Sequence, residues 1–197
     1  MNNVIAVVSG AGGNTMAVSN NSSSPIMSNV TATASGGTNN NYGVRNDTSS
    51  SPNMNNIIAT ASGGIGSCGV INYSSFSDTP NFPIMNNVIA SASGGTTRNN
   101  GVYNFNSSPT MSNVTATASG GTSSYGLNNE ANSTGYIIYI DRSTFSGNTN
   151  SIKNFTGYTL RIGASKLVGG AVNAVGTYNC VGVYSGNTYT MLNATCQ

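Results

Sequence analysis

The chain has 197 residues, enough for one domain with a continuous apolar interior, but only 5% of them are charged where roughly a quarter is usual. With no His, four carboxylates (Asp47, Asp78, Glu130, Asp141), three Cys and a formal net charge of +2, it lacks the parts of most catalytic and metal-binding constellations, so neither enzyme activity nor a cofactor is expected. The basic residues Arg45, Arg98, Arg142, Lys153, Arg161 and Lys166 are scattered, which argues against nucleic acid, and no apolar run approaches the ~20 residues that membrane insertion requires.

From residue 1 onward the chain repeats itself. Segments starting at Met1, Met27, Met54, Met85 and Met111 share a core of the form Met-x-Asn-Val/Ile-x-Ala-x-Ala-Ser-Gly, most closely in the last four. Their closing glycines, Gly10, Gly36, Gly63, Gly94 and Gly120, lie 26, 27, 31 and 26 residues apart. A second block follows each core: Val18-Ser-Asn20, Val44-Arg-Asn46, Val70-Ile-Asn72, Val102-Tyr-Asn104 and Leu127-Asn-Asn129. Pro25, Pro52 and Pro109 precede the next core, and the 31-residue interval carries an insertion, Tyr73 to Pro83, read as a longer loop. Val30, Ala32 and Ala34 alternate with Thr31, Thr33 and Ser35, the period of a strand with one buried face. Gly-Gly, Asn-Asn-Tyr-Gly and Ser-Ser-Pro segments read as turns between short apolar runs. Each repeat thus predicts about three short strands and three corners, with no helix.

Repeats of this length predict a β-solenoid whose coils stack strand on strand with a rise of about 4.8 Å. Met27, Met54, Met85 and Met111 form one expected inward column. Val30, Ile57, Val88 and Val114, with the alanines two and four positions on, form the next, and Val44, Val70, Val102 and Leu127 a third. Asn29, Asn56, Asn87 and Asn113, and separately Asn46, Asn72, Asn104 and Asn129, are expected to form amide ladders that satisfy buried polar groups at corners. Met1 holds the repeat methionine position, so the N-terminal end reads as uncapped and oligomerisation through it is one expectation.

Repeat coils are assigned to 1–135, and degenerate final coils with a C-terminal cap of the same domain to 136–197. Phe145-Ser-Gly147 is aligned with Ser119-Gly120, and Ile152-Lys-Asn154 with the Val-x-Asn block, as a sixth coil. Leu160, Ile162 and Ala164 are placed in the Val/Ala/Ala column of a partial seventh. Aromatic residues then accumulate, as a cover over open strand edges requires. Cys180 and Cys196, 16 residues apart, are a candidate disulfide that contributes about 3 kcal/mol in the chain-entropy model; the alternative is two reduced core thiols. Cys68 reads as an unpaired, partly packed thiol.

The Asn-bearing corners, the run Val30 to Gly37 and the three-strand coil resemble the right-handed parallel β-helix, or pectin-lyase-like, repeat proteins of secreted and surface-attached bacterial polypeptides. Segments 141–147, 161–170 and 178–184 are similar to the closing part of such proteins, so the resemblance spans essentially the whole chain. It implies an all-β, right-handed parallel β-helix of six to seven coils with a C-terminal cap, secreted or at the cell surface. Family lyases hold calcium with clustered acidic residues and use an Arg as base; no such cluster stands here, and no catalytic residue is carried over. The expected role is a non-catalytic rod for structure, adhesion or assembly.

The candidate binding face is the outward side of the main strand, where Thr31, Thr33, Thr60, Ser91, Thr115 and Thr117, with interleaved isoleucines, form two rows about 7 Å apart. Alternatives are binding of ice, of glycans or of another copy of the chain by this face, and a degenerate polysaccharide lyase. Strands also favour β-branched residues for their own sake. The outward column Arg45, Ile71, Tyr103 is irregular and predicts no lattice matching.

Overall fold

A computed structural model describes residues 1–10, 12–75, 80–173 and 175–197; Asp78 and the centre of the expected long loop lie outside the described residues. The chain is all-β and winds into a β-solenoid of about six turns. One sheet takes the repeat cores in order: β1 (Asn2–Ser9), β3 (Ile26–Ser35), β5 (Asn53–Ser62), β7 (Ile84–Ser93) and β9 (Thr110–Ala118). The other takes the Val-x-Asn blocks: β2 (Thr15–Asn21), β4 (Asn40–Asp47), β6 (Gly66–Tyr73), β8 (Arg98–Phe105), β10 (Ser123–Glu130) and β13 (Asn150–Lys153). The first sheet continues through β11 (Tyr136–Asp141), β12 (Thr144–Gly147), β14 (Tyr158–Gly163), β15 (Lys166–Gly169), β16 (Thr177–Val181) and β17 (Tyr184–Ser185).

Every pairing between these strands is parallel, and like sits on like. Met27 pairs with Met54, Met54 with Met85 and Met85 with Met111, while Val30, Ile57, Val88 and Val114 align one step along the coil. All eight are buried, as are Val44, Val70, Val102 and Leu127 of the facing sheet. The three straight runs per coil are present, but the first two form one strand of eight to ten residues bent at an asparagine. Asn29, Asn56, Asn87 and Asn113 all have φ between 52° and 55°. Asn tolerates this left-handed conformation better than other side-chain-bearing residues do, which explains its recurrence.

That geometry corrects one expectation. The corner ladder is solvent-exposed: Asn56 Nδ2 donates to Asn29 Oδ1 at 3.1 Å and Asn87 Nδ2 to Asn56 Oδ1 at 3.2 Å, but the side chains face outward and satisfy no buried group. The second ladder is the buried one. Asn20, Asn46, Asn72 and Asn104 each donate to the next asparagine at 2.8 Å, and Asn129 continues the chain to Asn154 at 3.2 Å.

The Asn-Asn-Tyr-Gly segment, expected as a turn, lies inside β4. Its Gly43 belongs to a buried column with Gly69, Gly101 and Gly126 that touches the backbone of the facing sheet. A Cβ on Gly101 would lie 2.7 Å from both Thr117 N and Gly126 O. The sheets therefore meet backbone to backbone here, which also explains why Ala59, Ala90 and Ala116 opposite are small.

In the final coils the register differs from expectation. Phe145 stacks on Ala116 and Gly147 on Ala118, and Leu167 follows Phe145, so Leu167 rather than Ile162 extends the alanine column. Ile162 pairs with Ile140, which pairs with Met111; Ala164 takes the left-handed corner at φ 43°, as Arg142 does at 46°. Ser-Gly pairs mark the register of the first five repeats, whereas in the last coils the recurring feature is the corner, where Arg142 and Ala164 replace Asn. Ile152 does stack on Leu127 as expected. In the cap, Cys180 continues the methionine column beyond Ile162 and is disulfide-bonded to Cys196, with Cα atoms 5.6 Å apart.

Candidate functional site

The flat outer face of the first sheet carries the sequence-predicted residues in two in-register rows. Thr31, Ile58, Ile89 and Thr115 make one and Thr33, Thr60, Ser91 and Thr117 the other. Strand alternation points them away from the buried alanines, and all are partly or fully exposed. The hydroxyls also meet each other: Thr117 Oγ1 donates to Ser91 Oγ at 3.1 Å. Toward the N-terminal end the rows become apolar, with Ile5 and Val7 exposed by 78% and 69%. The face therefore mixes methyl and hydroxyl groups at the spacing of the coils, and it offers no titratable group between coils 1 and 5 to act as acid or base.

Arg45, Asp47, Arg98, Glu130 and Lys153 lie on the outer face of the second sheet, whose outward column Arg45, Ile71, Tyr103 is irregular in sequence. Glu130, at the end of β10, accepts from Tyr103 Oη at 2.9 Å and Asn128 Nδ2 at 3.2 Å, and forms ion pairs with Lys153 at 3.4 Å and Arg98 at 3.5 Å. Burial pushes its carboxyl up, but the hydrogen bonds from Tyr103 and Asn128 and the two cations outweigh that and hold it below the ordinary glutamate value. Burial, reinforced by Glu130, pushes the Tyr103 phenol up. Three coils from Glu130, toward the N-terminal end, Arg45 bonds Asp47 through two nitrogens at 2.6 and 3.0 Å.

Cation–π contacts knit the same surface: Arg45 lies over Tyr42, Arg98 over Tyr103 and Lys153 over Tyr125, each within 5.4 Å of the ring centroid. Cys68 is buried beneath, accepts from Asn100 Nδ2 at 3.4 Å, and burial pushes its thiol up to about 12. This is a charge-neutralised packing layer in which each carboxylate is already engaged by cations. Its signal in the sequence was the fixed offset of Arg45, Tyr103 and Lys153, and of Asp47 and Glu130, from the Val-x-Asn blocks. Asp141 pairs with Arg142 at 3.0 Å at an exposed corner, away from both faces. Among the described residues no three His, Cys, Asp or Glu side chains come together as a metal site would require.

Comparison with protein-family models, curated proteins and solved structures gives no match.

Proposed function

We propose that the chain is a non-catalytic rod of the pectin-lyase-like, bacterial secreted type, acting outside the cell in adhesion or assembly, with the flat Thr/Ser/Ile face of the first sheet as its contact surface. The observation that carries this reading is the in-register pairing of Thr33, Thr60, Ser91 and Thr117, which repeats one hydroxyl per coil over four coils. Such a row meets a partner that is itself periodic or flat. A cap disulfide between Cys180 and Cys196 supports an oxidising compartment. The engagement of Glu130 and Asp47 by cations supports a non-catalytic role, because a general acid or base needs a free proton-exchanging group.

The test is binding of the labelled chain to a glycan array, beside Thr60→Lys and Thr117→Lys. Retention that both substitutions abolish, with no product released, supports the reading; equal retention by all three proteins overturns the assignment of the face. Ice is the second reading, favoured by the same one-per-coil row. Thermal hysteresis lost in Thr33→Tyr supports it, and unchanged ice growth with the unsubstituted chain removes it.

A further inference from the structure

A different surface carries a column of exposed apolar side chains. Just before the methionine column, Ile26, Asn53, Ile84, Thr110 and Tyr139 stack in register along the solenoid axis. They line two shallow grooves, of about 490 and 430 Å³, which share Ile84 and Thr110 and so run continuously over four coil steps. None of the lining residues carries a charge. Ile26, Ile84 and Tyr139 are exposed by 69%, 49% and 46%, although each is large and apolar.

The column alternates: apolar side chains stand on every second coil, with Asn53 and Thr110 between them. At a coil rise of about 4.8 Å, the apolar positions recur about every 9.6 Å. A polyproline II helix has three residues per turn and a rise of 3.1 Å, which gives a turn of about 9.3 Å. Ile26, Ile84 and Tyr139 therefore match two successive turns of such a helix along one ridge. Its backbone makes no internal hydrogen bonds, so its carbonyls seek donors. The neighbouring column supplies amides: Asn86 Nδ2 donates to Asn55 Oδ1 at 3.2 Å, and Asn55 Nδ2 has no hydrogen-bond partner among the described residues.

We propose that this groove binds an uncharged, proline-rich segment of a partner protein in the polyproline II conformation, with every third residue seated on Ile26, Ile84 and Tyr139. Two guanidiniums at its edge, Arg142 bonded to Ser112 Oγ at 3.3 Å and Arg161 over the Tyr139 ring, select against a basic segment, and a preformed helix loses little entropy on docking. A sugar chain fits less well. The apolar lining is mostly aliphatic, and Arg161 already covers the Tyr139 ring, with its guanidinium 5.3 Å from the centroid.

Isothermal titration with an acetylated, amidated ten-residue peptide of proline and glutamine tests the site. Saturable binding is expected, weakened roughly tenfold or more by Ile84→Asp and unchanged by Ile89→Asp, which lies in the same strand on the flat face. Both positions are exposed, and matching thermal melts confirm that both variants fold. Absence of binding, equal loss in both variants, equal binding of an alanine-for-proline peptide, or displacement by neutral hexose oligomers each overturns the proposal. The site goes beyond the flat-face reading, and because Thr60→Lys and Thr117→Lys leave the groove untouched, failure of either reading is distinguishable from failure of the other.

Discussion

Asn72 Nδ2 donates to Asn104 Oδ1 at 2.8 Å although the two residues are 32 positions apart in the chain, where the ladder's other steps span 25 or 26. The ladder keeps its spacing across the longer interval, so the buried amide stack sets the coil register. Asn72→Ala leaves Asn46 Nδ2 and Asn104 Oδ1 without that partner in a buried setting, at about 1–3 kcal/mol each. A loss of about 2–6 kcal/mol is expected in urea unfolding. Asn56→Gly on the exposed ladder, where water replaces the amide and Gly accepts the φ of 55°, should cost less than about 1 kcal/mol. Equal losses at the two sites would contradict the inside–outside distinction between the ladders.

Met85→Asp replaces a fully buried side chain between Met54 and Met111 with a charge and should cost several kcal/mol. Thr117→Asp, on the outer row, should stay within about 1 kcal/mol of the unsubstituted chain. Thermal melts of the two variants side by side decide this. Similar midpoints would mean that the alternation of the core strand has been assigned to the wrong faces.

The repeat made the solenoid legible because a strand's period of two and a coil's near-constant length are both one-dimensional signals. Val30 and Ala32 could be assigned inward from alternation alone, and Met27, an odd step from Val30 across the Asn29 corner, from its recurrence at one place in the repeats. Gly101 could not, because its reason for being small lies in the backbone of Thr117 across the core, a contact between different sheets. The last coils were misread for a related reason: Arg142 and Ala164 hold the corner conformation without the Asn that marked it earlier. Thr33 and its row were visible from the same alternation, whereas the Glu130 cluster joins three coils through side chains that differ in each, so no repeated letter announced it.

Gly101→Ala should expose that sheet contact. Its φ is not the obstacle; the added methyl meets backbone atoms 2.7 Å away on two sides, and backbone cannot swing aside as a side chain can. A cost of about 1–3 kcal/mol is expected from overpacking. Gly12→Ala, with nothing within 4 Å of the new methyl, is the control and should be nearly silent in the same melt.

Glu130 makes stability depend on pH in a defined direction. Its carboxyl is held below its ordinary value, so its contribution is complete above the unfolded-state pKa of about 4.3 and fades as pH falls through the lower folded value. Tyr103 works at the other end. Its phenol is raised, so its contribution is present below about pH 10 and lost as pH climbs past that toward the folded value. Urea midpoints across the pH range should show Glu130→Gln flattening the acid limb and Tyr103→Phe the alkaline one. An acid limb identical in Glu130→Gln and the unsubstituted chain would remove Glu130 as its source.

The three cysteines should divide sharply in their chemistry. Cys68 is buried and its thiol is pushed up to about 12, so almost no thiolate exists at pH 8 and a disulfide reagent should label it only on unfolding. Cys180 and Cys196 close a 16-residue separation at the cap, where Cys180 N donates to Ala194 O at 2.9 Å and Leu192 N to Val183 O at 2.8 Å. Reduction should remove about 3 kcal/mol of constraint from that segment. The coils below carry their own ladders and apolar columns, and a solenoid's stability is a sum of neighbour terms, so the loss should stay local. Hydrogen exchange before and after mild reduction should show protection falling in 177–197 while Met54, Val70 and Val88 remain protected. Loss of protection throughout the rod would mean that the cap, and not the stack of coils, holds the fold together.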